Sequence, residues 1–512
     1  MNTTFALLFG LFVHFSCFAQ QETVRLSFNE KENSIQGNST IVVSTISKNL
    51  KKYKISQLQE DFDILKNAYI ETKVGLWYNT YAEFDSISKI QRAKIEDQMT
   101  AWDFYKIVAP LTAYTKEGHS FIKVSQETND YFSQYGTYFP LFVKILDKKI
   151  YVLNDYQNVK VKGLIITKIN GISSGEILDT FTEIEPSDGY NFTSKYRWIE
   201  SAFSNYLLRF YGLSESFTIE FFDSKTNKES LQIINAVNSE QYKQLQIELK
   251  QEYPESSYSQ PAEFEINDKD NLAKLTINRF GEHLYKGGKE GFKNYLDSVF
   301  LEINDKNMKN LIIDLRKNEG GTQGMEDILL SYLTTKDYEK YSYVEIPSFE
   351  YSFLSFTDYK DKKEVLKEEL SIEFDLQNDG RYLDRMGVYD GLSPDPIHFN
   401  GDIYILIGGR TFSGGSEFAA LAKNYTKAIF IGEETGGGYY GNTSGSYLMF
   451  TLPNTQLTGR IPLCKYVVNA NINSIPFGRG LIPDYAITPT IDDILNHNDA
   501  ELNFTIQLIS KK

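Results

Sequence analysis

Cysteine is almost absent from this chain of 512 residues, which contains only Cys17 and Cys464. Two cysteines exclude a disulfide framework and a cysteine-rich zinc site. Histidine is also scarce, so few residues could act as a general base near neutral pH. The five histidines are His14, His119, His283, His398 and His497.

Long hydrophobic runs are missing beyond the N-terminus, which reads MNTTFALLFGLFVHFSCFAQQETV. Its apolar run is too short to span a bilayer, and Cys-Phe-Ala precedes Gln20, so we predict a signal peptide over residues 1–19. The segment carries no Lys or Arg, and a buried N-terminal strand is the alternative. A lipoprotein anchor on Cys17 is a further alternative, with a poor lipobox before it. We predict export to the periplasm or cell surface of a bacterium, and no membrane span in the mature chain.

A basic surface is also missing, because the formal net charge is −15. This charge excludes an electrostatic grip on nucleic acid, and we interpret it as a contribution to solubility. Hydrophobic residues make up 41% and aromatic residues 14% of the chain. This composition is typical of a globular protein with a real core and much sheet.

The chain divides into three predicted regions after the signal segment. Residues 20–125 form a helical domain, because Leu58, Phe62, Leu65 and Tyr69 make one apolar stripe at helical spacing and Thr100 opens a later helix. Residues 136–240 are rich in strands, with an Asn-Gly turn inside GLIITKINGISSGEIL. Residues 265–512 alternate strands and helices, as in an α/β core with parallel strands. An aromatic, charged insertion over residues 336–400 interrupts that alternation, and we interpret it as an excursion near the site or a lid.

The stretch GGRTFSGGSEFAALAK, residues 408–423, places Ser413 between a predicted strand and a predicted helix. α/β folds carry reactive groups at this end of the strands, and the helix N-terminus favours developing negative charge. The Gly414 N–H could donate to an oxyanion. Ser413 could instead be only a helix cap. The G-x-S-x-G elbow of α/β-hydrolases is not met, because Thr411 stands in place of the first glycine.

Two other stretches contain residue types that acyl transfer requires. GHSF, residues 118–121, contains His119, a candidate general base that could equally be a structural histidine. NLIIDLRKNEGGTQG, residues 310–324, follows a buried strand with Gly320 and Gly321. Their N–H groups could donate to an oxyanion, or the pair could simply form a strand-to-helix turn.

Taken in order, GHS, IIDLRKNEGG, GGRTFSGGSEFA, IGEETGG and GRGLIPDY resemble the tail-specific, or C-terminal-processing, serine peptidase family, in the branch that shares the tricorn core. The resemblance implies an N-terminal helical cap, a PDZ-like β-rich middle domain and a crotonase-like α/β catalytic core. It implies Ser413 as nucleophile, His119 as base, and Gly414 with Gly320 or Gly321 as the oxyanion donors. No metal or organic cofactor is implied.

The sequence departs from the family pattern in two places. Many members use a Ser-Lys dyad, but TGGGYYGN, residues 435–442, has no lysine, so His119 is the expected base. The glutamate that orients the histidine in the tricorn branch is absent from SIPFGRGLIPDY. Glu434 or Glu417 could substitute for it, and Ser120 could serve as the helper serine. Because the TFSGGSE spacing has one extra residue, Ser416 is the alternative nucleophile.

These observations predict an exported serine endopeptidase that acts on a peptide or protein substrate through an acyl-enzyme on Ser413. The PDZ-like domain would recruit the C-terminal tail of the substrate by adding it as a strand. Two alternatives stay open at this point. One is a non-catalytic protein that binds peptides or other ligands on the same fold, and the other is a serine esterase.

Overall fold

The computed structural model describes residues 50–253, 260–385, 392–471, 473 and 475–511. The predicted signal peptide and Cys17 lie outside the described residues. The predicted mixed α/β class is confirmed, since helices pack against four separate sheets. In the described part of the chain, every helix is too short or too polar to cross a membrane.

Residues 50–135 are mainly helical. The elements are α1 (Ile55–Glu71), α2 (Tyr81–Arg92), α3 (Ala101–Tyr114), β1 (Phe121–Lys123) and α4 (Gln126–Tyr135). The predicted stripe of α1 is buried at all four positions. Thr100 and Asp103 form the predicted capping box at the start of α3, each side chain accepting a backbone N–H of the other residue.

Residues 143–252 form an antiparallel sheet with helices. The elements are β2 (Val143–Leu146), β3 (Lys149–Val152), β4 (Ile165–Ile169), β5 (Ile172–Ser173), α5 (Ser174–Ile184), α6 (Thr193–Tyr211), β6 (Ser216–Asp223), β7 (Lys228–Asn235) and α7 (Ser239–Glu252). The strand order is β2-β3-β4-β6-β7, and β5 pairs with β4. The predicted Asn-Gly turn joins β4 to β5, where Asn170 and Gly171 both have positive φ.

The remaining residues contain the largest number of elements. In chain order these are β8 (Ala262–Asn267), β9 (Leu272–Ile277), α8 (Gly288–Asp305), β10 (Asn310–Asp314), α9 (Met325–Ser331), β11 (Tyr341–Ile346), α10 (Lys363–Glu373), β12 (Phe374–Leu376), β13 (Tyr382–Asp384), β14 (Asp402–Ile407), α11 (Gly414–Tyr425), β15 (Ile429–Gly432), β16 (Gly441–Ser444), β17 (Leu448–Thr451), β18 (Thr458–Ile461), β19 (Cys464–Val468), β20 (Tyr485–Ala486), α12 (Ile491–Leu495) and α13 (Ala500–Ser510). Short 3-10 turns occur at Val74–Leu76, Glu282–Leu284 and Ser352–Phe356.

The core sheet has the order β20-β15-β14-β10-β9-β8 and is parallel except at its β8 edge. Strands β10 and β14 are neighbours, with Asp314 opposite Leu406. Parallel neighbours end at the same edge of a sheet. The loops that follow them, which contain Gly320 and Ser413, therefore begin side by side.

The segment 336–400 contributes strands to a sheet shared with the core, and its interpretation as an excursion near the site or a lid stays a prediction. Its strand β11 pairs with β19, so the two regions share a five-stranded sheet of order β12-β13-β11-β19-β16. The sequence contained no sign of this long-range pairing. Alternation along the chain detects neighbouring elements, whereas β11 finds its partner about 120 residues later.

A small three-stranded sheet, of order β1-β18-β17, joins the N-terminal helical region to the core. Phe121 of β1 lies opposite Arg460 of β18 in antiparallel pairing. This pairing carries the predicted GHS stretch, which directly precedes β1, to the core. Elsewhere, the buried Asp61 carboxylate of α1 accepts the backbone N–H groups of Asn454 and Thr455.

Candidate active site

Ser413 occupies the tight connection between β14 and α11. Its backbone has φ 54° and ψ −127°, a conformation that non-glycine residues rarely adopt. Strain of this kind costs on the order of 1–3 kcal/mol and clusters at active sites. The Ser413 side chain makes no capping hydrogen bond to α11. The residue therefore stands at the helix start without serving as its side-chain cap.

The Ser413 side chain instead faces His119. Its Oγ lies 3.1 Å from Nε2 of His119, across 294 residues of sequence. This distance is within the range expected for a nucleophile and its base. A base that accepts the serine proton at Nε2 must carry its own proton on Nδ1.

The environment of His119 keeps the imidazole neutral. The residue is 5% exposed, and its ring lies against Phe412, with 4.7 Å between the ring centroids. Burial, with a smaller contribution from the charge of Arg460, lowers the pKa of His119 to about 3. The ring is therefore in the proton-accepting form throughout the neutral pH range.

Arg460 fixes the backbone of His119 from the opposite strand. Its Nε donates to the His119 carbonyl oxygen at 2.9 Å. Its guanidinium lies 4.4 Å from the ring centroid of Tyr447 and 4.9 Å from that of Phe121. These contacts hold the start of β1 in one orientation, and the cation–π contacts contribute to it.

The predicted oxyanion glycines meet in front of Ser413. The Gly414 N–H is at the start of α11, where N–H groups have no intrahelical acceptor. Gly320 has φ +85°, and a Cβ there would lie 2.6 Å from the Gly414 nitrogen and 2.8 Å from the Ser413 Cβ. The Gly320 N–H itself donates to Asn318 Oδ1 at 2.8 Å. Glycine at position 320 thus keeps open the space beside the nucleophile.

The predicted orienting carboxylates do not meet the base. Glu434 accepts the N–H of Gly480 and forms a two-pronged ion pair with Arg479. Glu417 accepts the hydroxyl of Tyr341 and the side-chain amide of Asn442, both at 2.8 Å. Both carboxylates are engaged elsewhere, which corrects their proposed role.

The two predicted serines are also accounted for. Ser416 is 1% exposed, and its Oγ donates to the Ser413 carbonyl oxygen at 2.8 Å. This bond turns its hydroxyl into the helix, so the structure does not favour it as nucleophile. Ser120 is buried, and neither its Oγ nor Nδ1 of His119 has a hydrogen-bond partner among the described residues.

Sequence reasoning missed Asp188, which lies in the loop before α6. The buried side chain accepts the backbone N–H of Gly118 at 2.8 Å and that of Gly438 at 3.1 Å. Its sequence context, PSDGY, indicates only a turn. Arg460 was also missed, since an arginine on a short strand has no distinguishing pattern.

Ser413 and His119 open into a cleft of about 460 Å³ lined by the N-terminal helices, α6 and the core. Its wall includes His119, Ser413, Tyr447 and Trp198. A volume of this size is ordinary for a ligand site. Within the described residues, no group of three or more His, Cys, Asp or Glu side chains is arranged to hold a metal ion.

This geometry, a strained serine at a helix start facing a neutral histidine, is that of a serine-type hydrolase. Residues 271–487 match the sequence model of peptidase family S41. This match covers less than half of the chain, and it supports similarity to the tail-specific peptidases and serine-type peptidase activity.

Two solved structures are similar in fold. One is mature CPAF, with a TM-score of 0.59, 14% identity, and coverage of 90% of this chain and 98% of that chain. The other is mature CPAF complexed with lactacystin, with a TM-score of 0.58, 16% identity, and coverage of 90% and 99%. Both likenesses extend across the helical, middle and core regions. Among curated proteins, no sequence matches this chain.

Proposed function

We propose that the protein is an exported serine endopeptidase with Ser413 as nucleophile and His119 as base. The observation that carries this proposal is the 3.1 Å approach of Ser413 Oγ to His119 Nε2. The strained backbone of Ser413 and the neutral state of the His119 ring support it. A serine esterase would use the same pair, and no observation in the site favours an ester over a peptide bond.

The reaction follows from the two side chains. Ser413 Oγ attacks the peptide carbonyl carbon while its proton passes to His119 Nε2. The carbon–nitrogen bond then breaks, and the imidazolium returns the proton to the leaving amine. Water attacks the resulting ester and transfers a proton to His119. The ester carbon–oxygen bond breaks, and this proton restores the Ser413 hydroxyl.

The tetrahedral oxyanion would accept the Gly414 N–H at the positive end of α11. A second donor would come from Gly320 or Gly321. Because the Gly320 N–H donates to Asn318, it would have to leave that partner to bind the oxyanion. Gly321 has no such bond among the described residues, which favours it as the second donor.

Recruitment of a C-terminal tail would use an open strand edge in the 143–235 sheet. The β2 edge is occupied at Ile145, whose N–H donates to Glu200 and whose carbonyl accepts from Arg197, both at 2.6 Å. The β7 edge exposes Leu231 and Ile233, at 57% and 65%. We therefore assign the tail to β7. The double variant Leu231→Asp and Ile233→Asp should raise KM for long peptides with a free C-terminus and leave KM for short or amidated peptides unchanged.

Export would remove residues 1–19, and N-terminal sequencing of the protein recovered from the bacterial envelope tests this. A mature chain starting at Gln20 supports the proposal. A start at Cys17 with an attached lipid would indicate the lipoprotein alternative. An intact N-terminus on protein found inside the cell would refute export.

Labelling with a fluorophosphonate probe tests the catalytic pair. Wild type and Ser416→Ala should label, whereas Ser413→Ala and His119→Ala should not. His398→Ala is the matched control, because it removes a half-buried histidine outside the cleft. If only Ser416→Ala loses labelling, the nucleophile is Ser416 and not Ser413. A wild type that never labels would refute the proposal. If wild type labels, hydrolysis of a peptide library separates peptidase from esterase activity.

A further inference from the structure

Asp188 connects the two loops that flank the reacting pair. One loop carries Gly118, the residue directly before His119, and the other carries Gly438. The second loop also approaches the nucleophile, because a Cβ on Gly437 would lie 3.1 Å from the Ser413 nitrogen. One carboxylate therefore bonds to a backbone on the side of the base and to a backbone on the side of the nucleophile.

The two hydrogen bonds use separate oxygens of the same side chain. Gly118 donates to Oδ1 and Gly438 donates to Oδ2. Asp188 is 1% exposed, so no solvent replaces either bond if the side chain is changed. The fit is close, since a Cβ on Gly118 would lie 2.9 Å from Oδ1. A carboxylate accepts at both oxygens, whereas an amide or a protonated acid presents a donor at one of them.

We propose that Asp188 is a positioning residue that holds the His119 loop against the 435–438 loop and thereby keeps the base within reach of Ser413. This role rests on the proposed function. Asp188 touches neither reacting atom and acts only through the backbones of Gly118 and Gly438. Displacements of about 1 Å between reacting groups can reduce rates by about 100-fold, so a two-bond clamp of this kind affects catalysis.

The same geometry makes the clamp sensitive to pH. Burial raises the pKa of Asp188 to about 6, against the two N–H bonds that lower it, and the charge of Glu417 raises it further. The other titratable groups that interact with it are Glu117, whose pKa burial raises well above its usual range, and Tyr78. Protonation as the pH falls through about 6 replaces one acceptor by a donor. The clamp is therefore complete above that pH and incomplete below it.

The test compares Asp188→Asn with a matched control, Asp61→Asn. Asp61 is also fully buried and also accepts two backbone N–H bonds, from Asn454 and Thr455, but it lies outside the cleft. Two measurements are made on each full-length mature protein. The first is the fluorophosphonate labelling rate between pH 4.5 and 8. The second is hydrogen–deuterium exchange of peptides that cover residues 116–120 and 436–440.

We expect wild type and Asp61→Asn to label with a midpoint near pH 6. Asp188→Asn should label at least 10-fold more slowly at pH 8, lose that midpoint, and exchange faster in both peptides together. Unchanged exchange in Asp188→Asn overturns the clamp, and faster exchange with an unchanged labelling rate overturns its role in positioning. A wild type that never labels refutes the proposed function itself, and with it the positioning role of Asp188. If wild type labels and Asp188→Asn shows the same pH profile of labelling, only the positioning role of Asp188 is refuted.

Discussion

Replacing Gly320 by alanine should stop the reaction through a single methyl group. The new Cβ would lie 2.6 Å from the Gly414 nitrogen and 2.8 Å from the Ser413 Cβ. Both contacts are far shorter than van der Waals contact, and both neighbours belong to the nucleophile turn. The methyl group would cover the Gly414 N–H, which is expected to bind the oxyanion. The turn that contains Ser413 would have to move to relieve the clash.

Two separate costs can be assigned to this variant. Loss of one oxyanion donor is worth about 3 kcal/mol of barrier, or a factor of about 100 to 1,000 in rate. Alanine at the φ of +85° that Gly320 adopts costs a further ~1–2 kcal/mol of stability. Gly171→Ala separates the two costs, because Gly171 has φ +82° and a Cβ there meets no atom within 4 Å.

The assay is the rate of fluorophosphonate labelling, with thermal unfolding as the measure of folding. Gly171→Ala should lower the Tm by at most about 4 °C and label at the wild-type rate. Gly320→Ala should stay folded at the assay temperature and label at least about 100-fold more slowly. Labelling of folded Gly320→Ala within threefold of wild type would refute the steric argument and the assignment of the oxyanion site to this space.

Two further predictions concern residues around the turn. Ser416→Ala removes one of three hydrogen bonds to the Ser413 carbonyl oxygen, so unfolding free energy should fall by about 1 kcal/mol and the labelling rate should stay within twofold; a lost label would contradict this. Lys340 is fully buried against Glu326 and Asp327, so Lys340→Met should cost ~3–5 kcal/mol by leaving buried carboxylates uncompensated. Burial raises the pKa of Asp327 to about 6, so protonation of this carboxyl should make the loss of Tm relative to wild type smaller at pH 5.5 than at pH 8, and equal losses would contradict the argument.

Local patterns in the sequence were sufficient for the elements that lie close together along the chain. The stripe of α1, the capping box of Thr100 and the turn at Gly171 are all local, and all were predicted. The α/β alternation likewise predicted the parallel core. The prediction of Ser413 as nucleophile required the ordered motifs, because a serine before a helix is usually a cap. Only the coordinates show that Ser413 makes no capping bond.

Such local patterns could not predict contacts between segments that are distant in sequence. Glu434 was a reasonable orienting residue from its position after the IGE strand. It was wrong because Arg479 and the Gly480 N–H, about 45 residues further on, use both of its oxygens. The pairing of the 336–400 insertion with the rest of the core could not be predicted for the same reason, since β11 pairs with β19. A carboxylate has its role set by the nearest donor in space, and a single sequence contains no record of that donor.

The position of His119, the proposed base, depends on distant segments more than that of Ser413, the proposed nucleophile, does. Ser413 is set by its own turn, between a buried strand and the helix that follows it. His119 arrives on a loop from another region, and its backbone bonds to Arg460, while Asp188 holds the residue before it. Each of these partners is at least 70 residues away in sequence from the loop residue that it contacts. Substitutions that preserve both motifs can therefore still disable the site, and they should do so by moving the base and not the nucleophile.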